Sequence, residues 1–163
     1  PMSGGSLTVY ISKNPKQKTH ALQIAQDQED KSKLNDLVSW KEFGGKVQTH
    51  KKKFVDMLTA LKKEGKNIAG YGSSARSSTL LNYCNIGQET IFGIADQNPL
   101  KHNHFTAGTH IPIKSPEEIV ISKPDYFVIL AWNFADEIIY NLKELYHFRG
   151  KFILPLPIIP VVI

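Results

Sequence analysis

The chain has 163 residues, 41% of them hydrophobic and 21% charged, which suits one domain with a sizeable core. Its formal net charge is +5, and the lysines are scattered apart from Lys51-Lys52-Lys53. No recognition motif accompanies that charge, so nucleic acid is not an expected partner, whereas acidic or phosphorylated small ligands are easily accommodated.

Leu7–Ile11 alternates as Leu-Thr-Val-Tyr-Ile and predicts a strand. The polar stretch Ser12–Lys33 follows, a loop or loosely held helix with little apolar pattern. A strand ahead of such a linker has no obvious partner downstream. We therefore expect residues 1–38 to be the end of a preceding domain with its linker, and residues 39–163 to form a domain of their own. Ser39 and Glu42 have capping-box spacing. Phe43, Val47, His50, Phe54, Met57, Leu58 and Leu61 then recur every three or four residues, one apolar stripe on a long helix that ends at Gly65. Gly44 and Gly45 each weaken that helix by about 1 kcal/mol, which allows a break there. His50, on the stripe, reads as a packed histidine.

Asn67–Cys84 is the stretch the rest is built around. Ile68 and Ala69 form a short buried strand, Gly70-Tyr71-Gly72 a turn, and a helix starts near Ala75. The N–H groups from Ser73 to Arg76 are expected to point outward there, where the helix dipole favours phosphate or another anion. Ser73 and Ser74 add hydroxyls and Arg76 adds a fixed positive charge. A solvated helix charge is the plain alternative for Arg76. Cys84 is the single cysteine, so no internal disulfide and no cysteine-based zinc cluster can form. That usage points to a reducing, cytoplasmic compartment, with Cys84 itself a buried small hydrophobe.

Ile91–Ala95 predicts a second strand, closed by Asp96 24 residues after Gly72. That is near the spacing at which an acid ends the second strand of a dinucleotide-binding unit. A carboxylate capping the Gln97-Asn98-Pro99 turn is an equal reading. Lys101 in that turn is solvated, or meets a diphosphate. Ile111–Ile113 is a short edge strand, and Ser115-Pro116-Glu117-Glu118 starts a helix. Asp125–Ala131 is a third strand, Asp136–Tyr146 an amphipathic helix and Lys151–Leu154 a fourth strand. The apolar tail Phe152–Ile163 is too short for a membrane span and contains Pro155, Pro157 and Pro160. No signal peptide or membrane association is expected.

Strands without polar alternation, separated by helices, predict an α/β fold: a Rossmann-like parallel sheet with helices on both faces, preceded by a long helix. Gly72, Asp96 and Asn133 then sit just past strand C-termini, where such sheets bind ligands. Tyr71, Trp132 and His110 border the same crevice. For Trp132 a partly buried core aromatic is the alternative, and for His110 a structural hydrogen bond. His102, His104 and His110 lack a convincing fourth partner, so no metal centre is expected. Two other functions stay open. Gly70-x-Gly72-x-x-Ala75 with Asp96 meets a loose NAD(P)-type pattern, but no acid or base for hydride transfer can be assigned. A structural domain that only docks on an upstream part would need the glycines for packing alone.

Three segments, GYGSSARSSTLLNYCNIG, IADQNPLKHNHFTAGTHIPIKSPEE and KPDYFVILAWNFADEI, occur in the order and spacing of a known family. They resemble the C-terminal domain of S-adenosylmethionine-dependent nucleotide-sugar C-methyltransferases, over roughly residues 39–161. The chain departs from the family where Arg76-Ser77-Ser78 replaces a Lys-Gly-Asn run, where Ala107-Gly108-Thr109 precedes His110 in place of Pro-Gly-Thr, and at His102-Asn103-His104. The resemblance implies a nucleotide-linked deoxysugar as ligand and an upstream methyltransferase domain as partner. It implies that S-adenosylmethionine binds upstream in the full-length enzyme, not on this chain, and that the catalytic pair and zinc site lie upstream too. No catalytic residue is therefore expected here. The substrate residues it leaves are Gly70, Tyr71, Gly72, Ser73, Ser74, Arg76, Asp96, Lys101, His110, Trp132 and Asn133.

Overall fold

The computed structural model describes residues 8–14, 16–156 and 159–163, which divide into two compact units at Thr49 and His50. In the first unit, Thr19 caps helix α1 (His20–Lys31) by accepting the Leu22 N–H, and no residue of α1 is buried. Residues 8–11 form no strand, and Tyr10 and Ile11 are almost fully exposed. Among the described residues the alternation at these positions finds neither a partner nor a core, and Leu7 lies outside them.

Helix α2 (Leu37–Lys63) starts two residues before the predicted capping box, which does not form, and runs through Gly44 and Gly45 without a break. It ends as expected: Gly65 takes φ +74°, and the Lys66 N–H reaches back to the Leu61 carbonyl. In the second unit, Phe54 and Leu58 of α2 are buried, and His50 Nε2–H donates to the Pro155 carbonyl at 2.5 Å, a packed and satisfied histidine.

The elements that follow are β1 (Ile68–Tyr71), α3 (Ala75–Cys84), β2 (Ile94–Ala95), β3 (Ile113–Lys114), α4 (Pro116–Ile121), β4 (Tyr126–Ile129), α5 (Ala135–Glu144), β5 (Lys151–Leu154) and β6 (Val161–Val162). They build one sheet of order β3-β2-β1-β4-β5-β6, parallel throughout except for β6, which pairs antiparallel with β5. The sequence reading anticipated the parallel strands and missed β6. The order in which strands are added reverses between β1 and β4, which are parallel neighbours in the sheet although two strands separate them in sequence. A fold of this kind opens a crevice above that switch point.

Both faces of the sheet are buried, which explains the missing polar alternation. Ile68, Ile94, Val128 and Ile153 point to one layer with Phe54, Leu58 and Leu81. Ala69, Tyr71, Phe127 and Ile129 point to the other with Ile119, Ile138 and Leu142. An edge-to-face aromatic series, Tyr71–Phe127–Phe148–Phe152, runs through the second layer at centroid separations of 6.2, 4.9 and 5.3 Å. Among the described residues no helix is long and apolar enough to cross a membrane.

Candidate functional site

The site is built on the turn that leaves β1. Gly72 takes φ +94°, and a Cβ there would stand 2.6 Å from the Ala131 Cβ, just past β4. The glycine thus lets the chain turn while β1 and β4 end side by side. Gly70 lies deeper, where a Cβ would meet Leu130 Cδ1 at 2.9 Å and Ile94 Cγ1 at 3.0 Å. It is a packing position inside the sheet and does not reach the crevice.

Most of the polar groups of the turn serve the turn itself. The Gly72 N–H donates to the Ala95 carbonyl and the Ser73 N–H to Asp96 Oδ2 at 2.7 Å. Ser74 caps α3 in a reciprocal box: its Oγ accepts the Ser77 N–H, and Ser77 Oγ accepts the Ser74 N–H at 2.6 Å. Of the four N–H groups expected to face outward, only those of Ala75 and Arg76 have no partner among the described residues.

Asp96 is the hub of this arrangement. It is 8% exposed. Oδ2 also accepts from Lys101 Nζ at 2.9 Å, and Oδ1 accepts the Asn98 N–H at 2.9 Å. Lys101 Nζ donates in addition to the Ser73 carbonyl at 2.5 Å, and His102 Nε2–H donates to the Asp96 carbonyl. Both carboxylate oxygens are therefore engaged, so the turn-capping reading of Asp96 describes the geometry. Three donors fill three of its roughly four acceptor positions, which leaves at most one for a ligand. Lys101, partly exposed, braces the loops after β1 and β2 through Asp96 and the Ser73 carbonyl.

Across the switch point, three of the predicted residues meet. Arg76 Nη1 donates to Asn133 Oδ1 at 3.2 Å, and its guanidinium lies 5.9 Å from the centroid of the Trp132 ring. Trp132 and Asn133 belong to the 3-10 turn Trp132–Phe134 that follows β4. Arg76 and Asn133 are exposed and Trp132 is half-buried, so the cluster faces solvent, and among the described residues most guanidinium donors have no partner. His110 is not part of it. The segment from Asn103 to Thr106 folds back antiparallel against Ile111–Ile113, and Asn82 near the end of α3 holds the Ala107 carbonyl, so His110 sits at the other end of the sheet. Its ring makes no hydrogen bond among the described residues, and φ is +52°. Among the described residues no three His, Cys, Asp or Glu side chains converge as a metal site.

Beside the turn, on the α5 side, lies a pocket of about 280 Å³. Tyr71, Gly72, Asp96 and Ala131 form its strand-end wall. The remaining wall, Gln97, Phe134, Glu137, Ile138 and Asn141, contains four polar or aromatic residues that sequence reasoning did not single out. The available signal was the spacing of Phe134, Glu137, Ile138 and Asn141 at helical intervals immediately after a strand end.

Tyr71 is 3% exposed, and its hydroxyl has no hydrogen-bond partner among the described residues. Burial pushes its pKa up to about 12, with Tyr146, Asp96 and Glu117 acting in the same direction. Gln97 is close enough to oppose them slightly without a hydrogen bond of normal geometry. An unfolded tyrosine releases its proton near pH 10. Between pH 10 and 12 the unfolded chain binds fewer protons at this site than the folded one, so stability falls as pH rises, by roughly 1 kcal/mol per unit. Tyr71→Phe is expected to remove that part of the alkaline loss. Urea melts of both proteins across this range check it, and equal slopes would contradict it.

A family model described as C-methyltransferase C-terminal domain matches residues 1–157. The C-methyltransferase NovU of Streptomyces niveus is 33% identical over 158 residues, an alignment covering 94% of this chain and 37% of the relative. The chain spans little more than a third of that relative's length.

Proposed function

The chain belongs to the C-methyltransferase C-terminal domain family, and on that premise we propose that it forms part of the nucleotide-sugar site of a larger C-methyltransferase. In this reading residues 39–163 are the domain that covers the substrate, and residues 1–38 close the preceding methyltransferase domain and link to it. The substrate is a dTDP-type deoxysugar and the enzyme works in the cytoplasm. The chain does not transfer methyl groups alone. S-adenosylmethionine supplies the methyl group in the full enzyme and binds upstream.

One observation carries this reading. Arg76, Trp132 and Asn133 converge beside two N–H groups, without a partner among the described residues, at the start of a ten-residue helix. Cation, helix N-terminus and aromatic face are what a nucleoside diphosphate needs: charge-assisted bonds to phosphate and a surface for the base. Both groups lie at the switch point, above the C-terminal ends of β1 and β4.

Titrating the chain with dTDP, a dTDP-sugar, NAD and S-adenosylmethionine tests it. Weak binding of dTDP and the dTDP-sugar is expected, with none of S-adenosylmethionine. Arg76→Ala should weaken dTDP binding about tenfold, the value of one charge-assisted contact. Arg76→Lys should recover only part of that, because a point charge cannot make paired bonds to phosphate. NAD binding tighter than dTDP would favour a dinucleotide-binding protein. Silence toward all four would favour a docking role.

A further inference from the structure

The pocket under the turn differs in character from the Arg76 cluster. No lysine, arginine or histidine lines it. Of its two carboxylates, Asp96 is neutralised by Lys101, while Glu137 is exposed and makes no ion pair or hydrogen bond among the described residues. A phosphate brought here would meet an uncompensated negative charge. Hydroxyl groups would not: a carboxylate accepts from them, and the side-chain amides of Gln97 and Asn141 both donate and accept. Those amides have no side-chain partner among the described residues. Phe134 and Ile138 supply apolar surface for the C–H face of a ring. At about 280 Å³ the space lies just below the ~300–1,000 Å³ that encloses a drug-sized ligand, which suits one ring and not a whole nucleotide sugar.

We propose that this pocket is a subsite for a neutral, hydroxyl-bearing ring, with Glu137 as the main acceptor and Asn141 and Gln97 orienting the hydroxyls. Its link to the substrate rests on the nucleotide-sugar reading. Gly72 both lines the pocket and opens the turn that leads to Arg76, so ring and phosphate are held on adjoining ground. The ring is either the pentose of the nucleotide or the deoxyhexose, and the two share the chemistry the pocket selects.

The test is an amide chemical-shift titration of the whole chain with thymidine, thymine, a methyl 6-deoxyhexoside, pyrophosphate and dTDP. Thymidine or the glycoside should shift the amides of Glu137 to Asn141, and whichever does so identifies the ring. Glu137→Gln and Asn141→Leu should each weaken that probe about tenfold and leave pyrophosphate shifts at Ala75 and Arg76 unchanged, with unaltered melting temperatures as the folding control. Glycoside binding in the pocket without any dTDP binding would uphold the subsite and overturn the nucleotide reading. Arg76-dependent dTDP binding with Glu137 and Asn141 silent toward every neutral probe would overturn the subsite and uphold the nucleotide reading. Pyrophosphate shifts centred on Glu137, or thymine binding equal to thymidine, would also overturn it.

Discussion

Gly72→Ala is expected to destabilise the sheet unit by about 3 kcal/mol. Two separable causes contribute. The backbone stands at φ +94°, where a side chain costs about 1–2 kcal/mol. The new methyl group would lie 2.6 Å from the Ala131 Cβ and 3.2 Å from its backbone nitrogen, an overpacking that costs about 1–3 kcal/mol. The backbone nitrogen cannot yield without moving the end of β4. Urea denaturation of the single variant measures the sum. Combining it with Ala131→Gly removes much of the clash and should return roughly half of the loss, leaving the conformational cost. A single-variant effect below about 1 kcal/mol would mean that the turn is not pinned against β4.

Asp96→Ala should cost about 2–4 kcal/mol, because it leaves the Ser73 and Asn98 N–H groups and Lys101 Nζ without their acceptor at a buried position. Lys101→Met should cost less. Its side chain is 38% exposed, and the remaining carboxylate keeps two N–H donors. In the double variant the losses should fall short of the sum by about 1 kcal/mol, since the two residues share one bond and both hold Ser73. The same denaturation curves report it. Strict additivity would show that the ion pair is incidental to the turn.

The order of strands and helices was readable because each signal is local. Ser74 and Ser115 cap helices three residues ahead of their partners, and buried runs such as Tyr126–Ile129 carry their own pattern. The α3 start at Ala75 follows from such local signals, whereas the Arg76–Asn133 meeting needs β1 and β4 side by side, a pairing of strands distant in sequence. What escaped depends on partners distant in sequence. Nothing near Asp96 says that Lys101 will reach over to Ser73. The pocket brings Gln97, after β2, together with the Phe134–Asn141 run, after β4. His110, expected at the crevice, precedes the parallel strand β3 and so lies at the sheet edge opposite the strand C-termini. The two valines of β6, following a proline-rich stretch, are too few to declare a strand until β5 offers them an edge.

The bracing of Ser73 by Asp96 and of Ser74 by Ser77 has a bearing on how any ligand would be received. The loop has its final shape before anything arrives. Association then requires little ordering of main chain, so the entropic cost that weakens disordered binding segments is largely absent. Adjustment is left to the exposed guanidinium of Arg76 and the indole beside it, a reorientation of side chains over a preset frame.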